Sequence, residues 1–205
     1  MFRNYSVFLA WLFLPFAPQS AAGQALVCQL GNMQSPFNPA QNQPASPYAV
    51  NELGTIYQLL CPNGCGQVSL FLNPTTPNAM AMAVGPGTSM ITYEPNFMGQ
   101  LFNAIGPEAS FGVLAHEFGH HVDFHSTPPW MNNAWSRELK ADAWAGCALA
   151  RRGFNPAQIS TALRAIAGYP SPSHPSWNLR VPAVQQGFLA CGGQLGWLPW
   201  AVPGA

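Results

Sequence analysis

One stretch near the middle of the chain, Phe111-Gly112-Val113-Leu114-Ala115-His116-Glu117-Phe118-Gly119-His120-His121, constrains the fold more than any other, because it sets His-Glu-x-x-His inside a helical pattern. Residues four apart on an α-helix differ by one turn and only about 40° of rotation, so the rings of His116 and His120 can close on one ion. Glu117 then stands beside that ion without ligating it. There a carboxylate can take a proton from a water whose pKa the metal has lowered to about 7. The pattern predicts a single zinc ion with Glu117 as general base. The competing account is a core helix that carries histidines by chance. Gly119 weighs against it, since glycine costs about 1 kcal/mol in a helix interior and usually marks a close approach. Two imidazoles do not complete a site, so a third donor has to come from elsewhere in the chain.

Glu138-Leu139-Lys140-Ala141-Asp142 offers that donor on a second long helix, predicted from Asn132 or Asn133 to Arg151 and ended by Gly153. Two carboxylates four apart share a helix face and repel unless something positive lies near. Glu138 is therefore the expected third ligand, and Asp142 the expected acceptor that fixes a ligand imidazole's tautomer. The alternative is a solvated face on which Arg137 and Lys140 offset the charge. A metzincin pattern does not fit: it needs glycine three residues and histidine six residues after His120, where this chain has Asp123 and Ser126. His125 lies about 180° round the helix from His116 and His121 about 100° off the ligand face, so both are expected at the surface or behind the ligands.

The 205 residues suffice for one domain with a real core. Charged residues make up only 7 % and balance to zero, which excludes the basic surface that nucleic acid or an anionic membrane requires. Arg3 followed by the apolar run Val7 to Phe16 and then small residues predicts a signal peptide over 1–25, cleaved near Ala22 or Ala25. The run is too short to span a bilayer, which takes about 20 residues. Export places the five cysteines, Cys28, Cys61, Cys65, Cys147 and Cys191, in an oxidising compartment. The expected bonds are Cys147 with Cys191 and one among Cys28, Cys61 and Cys65.

Residues 26–47, rich in Pro, Asn, Gln and Ser, read as an extended leader wrapping a domain over 48–205. Helical spacing runs from Tyr48 to Leu60. Val68 to Leu72, Met80 to Val84 and Met90 to Tyr93 are strand candidates for a small antiparallel sheet. Further helices are predicted over Phe97 to Ile105, Pro107 to about His125, Asn155 to about Ala167, and Pro175 to Ala190. The class is α+β, with the sheet packed on helices.

Taken in order, His116-Glu117-x-x-His120, Glu138-x-x-x-Asp142 in an Ala-Asp-Ala context, and Ser173-His174-Pro175-Ser176 with Arg180 six residues past the histidine resemble the HtpX and CAAX-prenyl-endopeptidase type of gluzincin metallopeptidase. Pro77-Asn78-Ala79-Met80-Ala81 is similar to the segment at that family's active-site edge. The resemblance implies a zincin-like fold, zinc on His116, His120 and Glu138, Glu117 as base and Asp142 as orienter. It also implies that His174 donates to the oxyanion and that Arg180 helps hold that region. Because no membrane-spanning segment follows the leader, membrane-embedded proteolysis is not carried over. The expectation is a secreted or periplasmic zinc endopeptidase whose partner is a polypeptide substrate, pairing along the strand from Ala79 to Val84. The alternative is a non-catalytic, zinc-stabilised envelope protein that binds a partner through its leader.

Overall fold

Small polar residues and prolines set where the helices begin. Ser46 accepts from the Ala49 N–H to start α1 (Pro47–Leu60), and Glu94 accepts from the N–H groups of Asn96 and Phe97 to start α2 (Pro95–Ala104). Gly106, at φ 138°, turns the chain into α3 (Pro107–Ser126). The fourth helix, α4 (Ala134–Arg152), ends at Gly153 at φ 86°, a left-handed position that glycine takes without a steric penalty. The last, α5 (Trp177–Ala190), accommodates Pro182 and starts two residues after the expected Pro175. The computed structural model describes residues 27–29, 37–126, 134–155, 158 and 175–194. The expected signal peptide, most of the helix expected from Asn155 to Ala167, and His174 lie outside the described residues.

All three expected strands form: β3 (Gln67–Leu72), β4 (Ala79–Gly85) and β5 (Thr88–Tyr93). Two more, β1 (Val27–Gln29) and β2 (Gln43–Pro44), come from the leader, which also forms a short 3-10 turn at Pro39–Gln41. The sheet order is β1-β4-β5-β3-β2. The sheet is mixed and not antiparallel as expected, because β3 runs parallel to β5 while the other pairs are antiparallel.

The loop over 73–78 explains the difference. Leu72 and Ala79 both pair with Tyr93, from opposite sides. The loop therefore arches over the end of β5, held by the Asn73 N–H on the Tyr93 carbonyl and the Glu94 N–H on the Asn78 carbonyl. Its six residues are long enough to clear one intervening strand, which sets β3 and β4 about 10 Å apart.

One face of the sheet packs on the helices. Ala79, Ala81 and Ile91 join Leu53, Ile56, Phe111, Leu114, Phe118, Leu149 and Val184 in a continuous buried core. Two disulfides close it, Cys61–Cys65 and Cys147–Cys191, as the cysteine count led us to expect. Among the described residues, no helix is long and apolar enough to cross a membrane.

Candidate metal centre

A glycine sets the distance between the two helices that carry the site. A Cβ built on Gly119 would lie 2.8 Å from the Ala141 Cα and 3.0 Å from its carbonyl oxygen, so α3 and α4 touch backbone to backbone at this point. His116 and His120 flank the contact on α3, and Glu138 and Asp142 flank it on α4. The crossing therefore brings all four side chains to one spot, and each is at most 3 % exposed.

Three side chains converge, with one Glu138 oxygen near each imidazole. The Nε2 atoms of His116 and His120 are 3.1 Å apart, Glu138 Oε2 is 3.4 Å from His116 Nε2, and Glu138 Oε1 is 3.6 Å from His120 Nε2. With zinc–ligand bonds of about 2.0 to 2.1 Å, the edge of a tetrahedron is about 3.3 to 3.4 Å, and each of these nearest approaches between side chains is close to that length. His116 Nδ1 lies 2.9 Å from Asp142 Oδ1, and since the carboxylate can only accept, the ring proton sits on Nδ1. With Nδ1 committed to Asp142, the Nε2 atom of His116 is the one turned toward His120, so either a shared proton or a cation can lie between the two rings.

Arg180 completes the support. From α5 its Nε and Nη2 each donate to Asp142 at 2.8 Å, and both side chains are 2 % exposed. Two further glycines make this reach possible. A Cβ on Gly187 would fall 1.8 Å from the Ala143 carbonyl oxygen, and one on Gly146 would fall 2.1 Å from that of Val184, so α4 and α5 also pack backbone to backbone. Arg180 thus acts on the donors through Asp142 and is not itself one of them.

Glu117 is fully buried, and among the described residues its carboxylate has no side-chain hydrogen-bond partner, with the Ala81 backbone on β4 beside it. Burial pushes its pKa up to about 8; His116 opposes the rise, Glu138 adds to it, and the nearby Ala81 backbone on β4 and Arg180 temper it. Burial by itself would lower His116, but its bonds to Asp142 and Glu138 overcome this and raise it to about 10. Asp142 is held below its ordinary value, although burial works against this, because Arg180 and His116 both favour its anion.

For His121 the structure excludes the surface, one of the two expected places. It is fully buried rather than at the surface, with Nδ1 2.8 Å from Ser89 Oγ on β5, because the sheet covers that side of α3. The segment 77–81, expected at the edge of the site from the resemblance alone, brings the Ala81 backbone beside Glu117. A separate apolar recess of about 390 Å³, lined by Tyr48, Leu72, Tyr93, Met98 and Phe102 among others, contains none of the donors. His116, His120 and Glu138 are the metal-capable group of this chain among the described residues. No family model, curated protein or solved structure matches the chain.

Proposed function

We propose that this protein is a zinc-dependent endopeptidase with a zincin-like fold, exported to an oxidising compartment where its two disulfides form. One observation carries the reading: two buried imidazoles and the Glu138 carboxylate approach one another within 3.1 to 3.6 Å beside a further buried carboxylate, Glu117, that has no side-chain partner. A purely structural site closes all four positions with protein ligands, whereas here three candidate ligands are accompanied by a buried carboxylate that no other side chain engages. His116, His120 and Glu138 would hold the ion, and the Arg180–Asp142–His116 chain orients the first ring. Bound there, zinc would supply Lewis-acid polarisation of a peptide carbonyl and acidify a water.

Glu117 is the proton carrier. Once an ion had displaced the proton that burial favours on it, its carboxylate could take a proton at the metal's side and pass it to the leaving amine. On the resemblance of the Ser-His-Pro segment, His174 is the donor to the oxyanion. The β4 strand beside Glu117 is the surface along which an extended polypeptide would lie.

Metal analysis of purified protein, joined to hydrolysis of unfolded casein, tests the reading. One zinc per chain is expected. Glu117→Gln is expected to keep the zinc and lose hydrolysis, and Glu138→Ala to lose most of the zinc. Full hydrolysis by Glu117→Gln, or full zinc occupancy in Glu138→Ala, would overturn the assignment.

A further inference from the structure

The outer edge of β4 is not free, because β1 covers it. Val27, Cys28 and Gln29 pair antiparallel with Met82, Ala81 and Met80, while the other edge of β4 is committed to β5. The centre of this short ladder is Ala81, the strand residue beside Glu117. Ala79 and Ala81 belong to the core face, against which α3 packs. A polypeptide crossing the metal centre in extended form has to run past Glu117, and a strand edge holds such a chain through backbone hydrogen bonds of low sequence preference. In this chain three of its own residues already make those bonds.

We propose that Val27–Gln29 is an internal occupant of the substrate edge, pairing with β4 where an extended polypeptide would pair and leaving before one can bind. The proposal rests on the peptidase reading above for the identity of the displaced ligand. Three features suit the segment to exchange. It makes only a three-residue ladder, so few bonds have to break. The side chains of residues 24–31, Gln-Ala-Leu-Val-Cys-Gln-Leu-Gly, carry no charge, so none of them brings an ion pair that would fix the strand. Being tethered in the same chain, it competes at an effective concentration in the millimolar range, enough to suppress a weak peptide ligand roughly tenfold without being permanent.

Two variants of the full chain test this, each carrying Glu117→Gln so that bound peptide is not turned over. In the first, Val27→Pro, Cys28→Pro and Gln29→Pro together remove every N–H that β1 can donate. In the second, Val27→Cys with Met82→Cys, in a Cys28→Ser background, locks the paired strands by a cross-strand disulfide. The probe is a fluorescein-labelled copy of residues 24–31 with serine for Cys28, and its binding is read by anisotropy.

The released variant is expected to bind the probe about tenfold more tightly than the Glu117→Gln parent. The locked form is expected to bind about tenfold more weakly until reductant is added, with the parent under the same reductant as control. Equal affinity in the locked, parent and reduced forms would overturn the proposal and make β1 a fixed part of the sheet; this arm decides even if the proline variant fails to fold. The same variants with Glu117 intact separate the two readings. Strand-dependent binding without casein hydrolysis in any form would sink the peptidase and leave strand exchange standing, whereas hydrolysis unaffected by the lock would do the reverse.

Discussion

Replacing Arg180 by methionine separates the support of the metal ligands from the ligands themselves. Arg180 and Asp142 share two 2.8 Å bonds and are each 2 % exposed, so solvent barely screens the pair. Removing one partner of a buried ion pair costs about 3–5 kcal/mol, because the other charge stays behind. Asp142 would keep only the Nδ1–H of His116, and its carboxylate would become harder to ionise. Metal-free Arg180→Met is therefore expected to lose about 3–5 kcal/mol in urea unfolding. Adding Asp142→Leu removes the stranded charge and should restore most of that stability, since an apolar pair of similar volume often matches a buried ion pair.

Metal affinity should behave differently. The double variant leaves His116 without its acceptor and is expected to bind zinc about 10 to 100-fold more weakly, measured by competition with a chromophoric chelator. Wild-type affinity in the double variant would refute the positioning role of Asp142. A loss under 1 kcal/mol in the single variant would refute the energetic argument.

Gly119→Ala forces a methyl group to 2.8 Å from the Ala141 Cα, and backbone cannot rotate away; a loss of about 1–3 kcal/mol together with weaker zinc binding is expected, and unchanged binding would mean that the helix crossing does not set the site. Stability of the metal-free protein should fall as pH rises. Glu117 and His116 are raised from 4.5 to about 8 and from 6.5 to about 10, so they bind protons more tightly when folded; the stability they confer is whole below 4.5 and 6.5 and is lost as pH rises through 8 and then 10. Melting temperatures from pH 6 to 10 should decline without metal and much less with zinc, which replaces those protons; a flat metal-free profile would contradict the shifts. Replacing Cys147 and Cys191 by serine opens a closure of 44 residues and should cost about 4 kcal/mol, against about 2 kcal/mol for the Cys61–Cys65 closure of 4, both read by urea unfolding.

What could be read from the sequence is what depends on spacing within one helix. His116 and His120, and likewise Glu138 and Asp142, are four apart, and the helical period alone puts each pair on one face. Gly119 was informative because a glycine inside a helix costs stability that packing has to repay, and Ala141 is what packs there. The sheet was legible as strands but not as pairings: alternation marks which residues face the core, while the path of the loop over 73–78 decides that β3 lies beside β5. A three-residue strand such as β1 has no period to detect. Arg180 reads equally well as a helix-surface arginine, and only the Gly146 and Gly187 contacts, which bring α5 against α4, turn it inward to Asp142. For the same reason the sequence left His121 open between the surface and the interior, since its neighbour Ser89 lies 32 residues away.

Charge gives an independent reason to expect a divalent ion. The chain has seven acidic residues, and three of them, Glu117, Glu138 and Asp142, are buried together with a single arginine, Arg180. Fully ionised, that group carries a formal charge of minus two in an interior where uncompensated charge costs several kcal/mol per ion. A dication between His116, His120 and Glu138 would bring the total to zero. Without one the site turns to protons, and the two groups with strongly raised pKa values, His116 and Glu117, are one imidazole and one carboxylate that together take up two positive charges. Two protons thus stand in for one doubly charged ion. A core histidine pair with a solvated acidic face, the competing account of the same sequence, would show no such balance, because its carboxylates would lie in water and its imidazoles would be neutral.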